Sequence, residues 1–288
     1  ISRSNKPQTN NHEKIGIKNE FKIIKVENLC TFEVINLIEK FKPVEIYNLS
    51  AQSSVGLSFS QPEETFQSIV DITRSILEAS RKTQYHGKLF FAGSSEIFGE
   101  TRSPATVKTK PNPCSPYGIA KSQSKSLVNL YREIYGIKAV TGILFNHESP
   151  LRGRNFVTQK IIEGAINCAK KKEKKLILGN LNIKRDWGWA EEFVEGIQLM
   201  TRAKELNDHV ICTGKVTSLK KFVMNVFNYF NLDYKNYVIS DSSQYRKRDI
   251  IKSLGNPDFM KEKVNWSANY QITEKVDYLI KHQLKFQS

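Results

Sequence analysis

Short apolar segments that alternate with helix-patterned segments restrict the fold of this sequence more than any other feature. Residues 44–49, 88–92 and 139–145 are short and rich in aliphatic and aromatic residues, as buried strands are. Apolar residues in 66–77 recur every three or four positions, and residues 115–135 open with the helix-start pair Ser-Pro. This alternation predicts parallel βαβ units in an α/β fold with a doubly wound, Rossmann-like sheet.

The rest of the chain predicts a first strand and a second lobe. Residues 21–26 have the composition of a further short strand, and the regular alternation loosens after Pro150. We expect a nucleotide-binding domain over residues 1–154. A smaller mixed α/β substrate-binding lobe is expected over 155–288, with about 181–216 returning to the first domain.

Charge and cysteine usage exclude several classes of protein. The net charge is +15, but the lysines are spread along the chain without a nucleic-acid-binding motif, so we expect neither nucleic acid nor membrane as a partner. No apolar run approaches the ~20 residues of a membrane helix. The four cysteines form no CxxC pair, which argues against a disulfide scaffold or a metal site and predicts a reducing, cytoplasmic location.

A serine, a tyrosine and a lysine carry the clearest chemical signal. Tyr117 and Lys121 are four residues apart at the start of one predicted helix, so both side chains project from the same face. A nearby ammonium and the positive end of the helix are expected to lower the pKa of the Tyr117 phenol, which is ordinarily ~10. Ser94 follows a predicted central strand, at the edge where open α/β sheets bind their ligands.

Longer strings around these residues narrow the interpretation. They are Ile-Tyr-Asn-Leu-Ser-Ala-Gln-Ser (46–53), Ser-Ser-Glu-Ile-Phe-Gly (94–99), Ser-Pro-Tyr-Gly-Ile-Ala-Lys (115–121), Gly-Ile-Leu-Phe-Asn-His-Glu-Ser-Pro (142–150) and Leu-Gly-Asn-Leu-Asn-Ile-Lys-Arg-Asp-Trp-Gly (178–188). Together they resemble the GDP-mannose 4,6-dehydratase family of extended short-chain dehydrogenases/reductases. The resemblance runs from residue 1 to about residue 283.

The resemblance implies a mechanism and a set of catalytic residues. Tyr117 would take the proton of the sugar C4 hydroxyl while NADP accepts the C4 hydride, and Ser94 would hydrogen-bond the C4 oxygen. Glu96 would remove the C5 proton and protonate the departing C6 hydroxyl, after which the hydride returns to C6. Lys121 would support Tyr117 and hold the nicotinamide ribose. Glu96 is the discriminating residue, because a reductase or epimerase of the same fold does not need it.

The resemblance also implies binding residues for NADP and for GDP-mannose. The cofactor-binding residues would be Arg3, Ser4, Asn28, Leu29, Leu49, Ala51, Gln52, Ser53, Lys121, His147 and Arg152. The substrate-binding residues would be Asn146, Val157, Lys160, Arg185, Arg246 and Asp249. A homo-oligomer, either a tetramer or a dimer, is expected by the same resemblance.

One expected motif is absent from the sequence. No G-x-G-x-x-G or G-x-x-G-x-x-G occurs, although such a turn brings the backbone to the pyrophosphate in dinucleotide-binding folds. We therefore expect an N-terminally incomplete Rossmann-like sheet. Two alternatives stay open: another nucleotide-sugar reductase or epimerase, or a non-catalytic remnant that assembles with a complete paralogue.

Overall fold

Ten strands and eleven α-helices occur in the computed structural model, which describes residues 10–14, 16–17, 19–26, 28–172, 174–246 and 248–285. The strands are β1 (Glu45–Asn48), β2 (Lys88–Ser94), β3 (Ala139–Leu144), β4 (Asn146–Glu148), β5 (Leu176–Leu178), β6 (Lys184–Trp189), β7 (His209–Ile211), β8 (Val216–Ser218), β9 (Val238–Ser240) and β10 (Lys252–Ser253). The helices are α1 (Asn10–Lys14), α2 (Thr31–Phe41), α3 (Val55–Ser58), α4 (Pro62–Phe66), α5 (Ile72–Lys82), α6 (Pro116–Tyr135), α7 (Val157–Ala169), α8 (Ala190–Arg202), α9 (Leu219–Tyr229), α10 (Asp258–Val264) and α11 (Val276–Lys285). A π-helical segment, Gln67–Asp71, joins α4 to α5.

A four-stranded parallel sheet in the order β1-β2-β3-β7 confirms the predicted α/β fold. Side chains along β2 alternate between its two faces, because successive residues of a strand point in opposite directions. Leu89 and Phe91 pack with α2, α5 and α6, whereas Phe90 packs with α8 and α10. Helices therefore cover both faces of this sheet, as in a doubly wound fold.

A second, smaller assembly follows β3. Strand β6 pairs with β4 and β10 in parallel and with β8 in antiparallel orientation. Helices α7, α9 and α11 share a separate apolar cluster that includes Ile161, Trp187 and Phe222. This assembly brings β10 close to the segment that follows β2, and there the Thr101 amide donates to the Lys252 carbonyl at 3.0 Å.

The structure corrects one predicted element. Residues 21–26 do not form the expected strand: only Lys25 takes part in a β-bridge, and Phe21 is 37% exposed while Val26 is buried. A strand requires backbone pairing over several consecutive residues, and a single bridge does not supply it. None of the helices within the described ranges is long and apolar enough to cross a membrane.

Candidate active site

Four of the predicted residues meet at the carboxyl end of β2 and the start of α6. Ser94 is the last residue of β2, and Glu96 lies in the single 3₁₀ turn (Ser95–Ile97) that follows it. The Ser94 hydroxyl accepts a hydrogen bond from the Glu96 amide at 3.3 Å. Tyr117 and Lys121 lie one turn apart in α6 and are 8% and 4% exposed.

The start of α6 is held against the turn that carries Glu96. Ser115 caps the helix, and its hydroxyl accepts a hydrogen bond from the Gly118 amide at 3.1 Å, as the sequence predicts. The Asn112 amide, shortly before the helix, donates to the Ile97 carbonyl at 2.8 Å. Because a proline at the first helical position also fixes the entry of the chain, Tyr117 has a defined place beside Ser94 and Glu96.

Burial dominates the electrostatics of the tyrosine–lysine pair. Desolvation raises the pKa of Tyr117 to about 12, and the Glu96 carboxylate adds to this, whereas the Ser94 hydroxyl and the Arg152 guanidinium oppose it. Desolvation also lowers the pKa of Lys121 to about 8. The expected lowering of the Tyr117 pKa is therefore wrong, because the desolvation of the phenol outweighs the effects that lower it. The ammonium lies 5.8 Å from the ring centroid and donates to the Ala92 carbonyl at 2.8 Å.

The loop after β1 fits one part of a nicotinamide nucleotide. Leu49 is 63% exposed and presents an apolar side chain at the carboxyl edge of the sheet. The side-chain amide of Gln52 holds this loop in place, donating to Ser54 O at 2.9 Å and to Thr65 Oγ1 at 3.1 Å. Lys121 has three N–H donors, of which one reaches Ala92. An exposed apolar side chain suits the face of an aromatic ring, and a buried ammonium suits the hydroxyls of a sugar, so each group fits one part of such a nucleotide.

A second cluster lies at β4, and the charge of its Arg152 influences Tyr117. His147 Nδ1 is 2.8 Å from the Phe145 carbonyl, and burial lowers the pKa of the imidazole to about 4, so His147 is neutral at physiological pH. Glu148 is 3% exposed and forms an ion pair with Arg152 (Oε2 to Nε, 3.3 Å). The Arg152 guanidinium also lies 3.6 Å from the centroid of the Phe156 ring. These contacts fix the direction of a guanidinium whose charge reaches Tyr117.

Arg185 dominates the side of the site formed by β6 and the segment before β10. It is 3% exposed, and its Nη1 donates to the Ile250 carbonyl at 2.7 Å. Its Nη2 is buried without a hydrogen-bond partner among the described residues. Burial lowers its pKa, while the carboxylates of Glu96 and Asp249 raise it and the Arg246 guanidinium lowers it. A buried guanidinium with a free edge is suited to a phosphate or carboxylate.

The remaining predicted residues occupy varied positions. Leu29 and Ala51 pack against apolar clusters, and Val157 begins α7 against another. Asn146 begins β4 opposite Trp187. Asn28, Ser53, Lys160 and Arg246 are exposed. Arg3 and Ser4 lie outside the described residues.

Reasoning from the sequence missed two residues of this region. Cys114 is half-buried before α6, and burial raises the pKa of its thiol, with the Glu96 carboxylate adding to the rise and Arg248, Arg185 and Arg246 opposing it. Glu148 belongs to the same string as His147, but no role was assigned to it from the sequence. Its burial follows from the pairing of β4 with β6, and its carboxylate forms an ion pair with Arg152.

The fold and the arrangement of Ser94, Tyr117 and Lys121 define an extended short-chain dehydrogenase/reductase. A UDP-glucose 4-epimerase from Thermus thermophilus, solved with NAD, has a similar fold at a TM-score of 0.81. The sequence identity is 21%, and the alignment covers 92% of this chain and 85% of that one. This likeness defines the architecture.

The sequence identifies the family within that class. The model of the family described as GDP-mannose 4,6 dehydratase matches residues 1–279. GDP-mannose 4,6 dehydratase 2 of Arabidopsis thaliana is 36% identical over 252 residues, 86% of this chain and 68% of its relative. The GDP-mannose 4,6 dehydratase of Homo sapiens is 35% identical over 274 residues, 88% of this chain and 73% of its relative. The chain belongs to the GDP-mannose 4,6-dehydratase family.

Proposed function

We propose that this chain removes water from GDP-α-D-mannose and forms GDP-4-dehydro-6-deoxy-α-D-mannose, with NADP as its cofactor. The observation that carries the proposal is the position of Glu96. Its amide donates to the Ser94 hydroxyl, and its carboxylate raises the pKa of the Tyr117 phenol. A dehydration next to a carbonyl needs a base separate from the group that serves the hydroxyl, and Glu96 supplies it.

NADP would supply hydride chemistry, taking the hydride of C4 and returning it to C6. The residues that would hold it are Lys121, the loop from Leu49 to Ser53, His147 and Arg152. Residues 1–154 would form its domain, and 155–288 the lobe for the sugar nucleotide. Arg3 and Ser4 are proposed for the 2′-phosphate that distinguishes NADP from NAD.

Ser94 and Tyr117 act on the C4 hydroxyl in this proposal. The Ser94 hydroxyl holds the C4 oxygen, and the Tyr117 phenolic oxygen receives the hydroxyl proton. Burial raises the pKa of this phenol, whereas the Ser94 hydroxyl and the Arg152 guanidinium lower it, so these two groups favour the phenolate that the step uses. The resulting 4-ketone makes the neighbouring C5 hydrogen acidic.

Glu96 then moves one proton within the sugar. Its carboxylate takes the C5 proton and delivers it to the C6 oxygen, which leaves as water. Overall, C4 loses a hydride and a hydroxyl proton, C6 gains the hydride, and C5 regains one proton, which balances the proton that the C4 hydroxyl released to Tyr117. The reaction therefore involves no net oxidation.

Arginines provide the binding site for the nucleotide diphosphate. Arg185 has a buried Nη2 without a partner among the described residues, and the Arg246 guanidinium lies near enough to affect its pKa. Asn146, Val157, Lys160 and Asp249 are proposed as further contacts of GDP-mannose. Planar guanidinium groups can bind two phosphate oxygens at once, which gives both affinity and orientation.

The test is conversion of GDP-mannose in the presence of NADP⁺ or NAD⁺, followed by mass spectrometry of the sugar nucleotide. We expect loss of one water with NADP⁺ and slower loss with NAD⁺. The matched variant, Glu96→Gln, should bind GDP-mannose but form no dehydrated product. A folded wild-type chain that binds GDP-mannose and leaves its mass unchanged would contradict the proposal.

The proposal includes two further properties, assembly into a homo-oligomer and a cytoplasmic location. Exposed apolar residues on α6, among them Ile119, Leu130 and Ile134, support assembly into a homo-oligomer, and light scattering on the purified chain measures its size. All four cysteines are free thiols, which supports a reducing, cytoplasmic location.

A further inference from the structure

A carboxylate outside the four catalytic residues binds the segment that approaches Arg185. Glu100 follows Glu96 by four residues and accepts hydrogen bonds from two consecutive amides. Ile251 N donates to Glu100 Oε2 at 2.6 Å, and Lys252 N donates to both carboxylate oxygens, at 3.0 and 3.1 Å. Hydrogen bonds to an ionised acceptor are stronger than those between neutral groups.

The same peptide unit connects Glu100 to Arg185. The carbonyl of Ile250 and the amide N–H of Ile251 belong to one peptide bond. Its oxygen accepts Arg185 Nη1 at 2.7 Å, while its nitrogen donates to Glu100. A peptide bond is planar, so the carboxylate that fixes the N–H direction also fixes the direction of the carbonyl. Hydrogen bonds in such a chain polarise and strengthen one another.

A neighbouring set of hydrogen bonds holds the same two segments without touching that peptide. Thr101 N donates to Lys252 O at 3.0 Å, and Thr101 Oγ1 accepts from Leu254 N at 2.8 Å. Ala105 N donates to Leu254 O at 2.9 Å. Loss of one hydrogen bond from this set would loosen the segment generally. Loss of the Glu100 charge would instead weaken the hydrogen bond that orients the Ile250–Ile251 peptide, to which Arg185 donates.

We propose that Glu100 is a positioning residue, which acts through the Ile250–Ile251 peptide to hold Arg185 with its free Nη2 edge toward the anionic part of the nucleotide sugar. The inference rests on the proposed function, because it assigns the diphosphate as the ligand of that edge. Glu100 itself is exposed and contacts backbone amides, so its role is transmitted through Arg185.

The experiment compares Glu100→Gln with two controls, Thr101→Val and the exposed Glu195→Gln on α8. Binding of GDP alone is measured by calorimetry, and steady-state kinetics are measured with GDP-mannose. We expect Glu100→Gln to weaken GDP binding and raise KM about tenfold, with kcat within about twofold of wild type. Both controls should stay within about twofold of wild type in these quantities.

A double-mutant cycle separates positioning from general loosening. In the Arg185→Lys background, Glu100→Gln should have almost no further effect on GDP binding, because the group it positions is gone. Hydrogen exchange of the Ile251 and Lys252 amides should be faster in Glu100→Gln. If that variant does not fold, Glu100→Asp, which keeps the charge but shortens its reach, takes its place.

Three results would overturn the proposal: unchanged GDP binding in the Glu100 variant, equal weakening by Thr101→Val, or full additivity with Arg185→Lys. Failure of the proposed function would look different. A wild-type chain that binds GDP but does not dehydrate GDP-mannose contradicts the function, while the response of GDP binding to Glu100→Gln still decides the positioning role.

Discussion

Gly118 lies directly against the backbone carbonyl of Glu96. A Cβ atom at Gly118 would come within 2.7 Å of that oxygen and 3.1 Å of the Pro113 Cβ, closer than side chains pack. The absence of a side chain therefore allows α6 to approach the 3₁₀ turn. This approach sets the position of Tyr117, one residue earlier, relative to Glu96.

Gly118→Ala should accordingly separate Tyr117 from Glu96, the two groups proposed to act on the sugar. Accommodating the methyl group forces the helix away from the turn. We expect a loss of stability of about 1–3 kcal/mol, and a fall in kcat because the two groups no longer keep their relative position. Gln123→Ala, at an exposed position of the same helix, is the matched control. Thermal unfolding and steady-state kinetics measure the two effects. A Gly118→Ala variant with wild-type kcat would show that the close approach is unnecessary.

Lys121 should make cofactor binding depend on pH. Burial lowers its pKa to about 8, so the ammonium is present below that pH and is lost above it. We expect NADP affinity to fall between about pH 7 and about pH 9 in the wild type, and to be weak but flat over that range in Lys121→Met. Calorimetric titration with NADP⁺ measures both. If NADP affinity falls with pH to the same extent in the wild type and in Lys121→Met, Lys121 is not the group responsible.

His209 should make the folded state sensitive to acid. It is fully buried against Phe259, and burial lowers its pKa to about 4. Its stability contribution is complete above the unfolded pKa of about 6.5 and is lost as pH falls toward 4, because only the unfolded chain binds the proton there. From about pH 7.5 to about pH 5, this loss amounts to about 2 kcal/mol.

A comparison of variants isolates this effect from the other titrating groups. His209→Phe should lose less stability than the wild type over the same pH interval, whereas His86→Asn, at an exposed position, should follow the wild type. Urea unfolding at each pH gives the free energies. If His209→Phe shows the wild-type pH dependence, the buried imidazole is not the acid-sensitive group.

The sequence was sufficient for the parallel sheet and for the local geometry of α6. Strong periodicity and the Ser-Pro helix start determine these features locally. It failed for residues 21–26, because strand formation depends on how many consecutive residues pair with a neighbour, and composition does not reveal that number. It also gave the wrong direction for the Tyr117 pKa, since desolvation of the phenol depends on the packed site.

Contacts between residues far apart in the sequence were the other feature that could not be predicted. Glu100 has no distinctive sequence context, and its role depends on two amides about 150 residues later in the chain. The ion pair of Glu148 with Arg152 could be guessed from their spacing, but the burial of Glu148 could not. The assigned roles of the site residues stay predictions until variants are measured.

The most direct test of the central claim uses GDP-mannose with deuterium at C4 and a catalytic amount of NADP⁺. Mass spectrometry should show a product lighter by one water that keeps the deuterium, now at C6, with Glu96→Gln forming none. Loss of the deuterium, or a wild-type product of unchanged composition, would contradict an internal dehydration at this site.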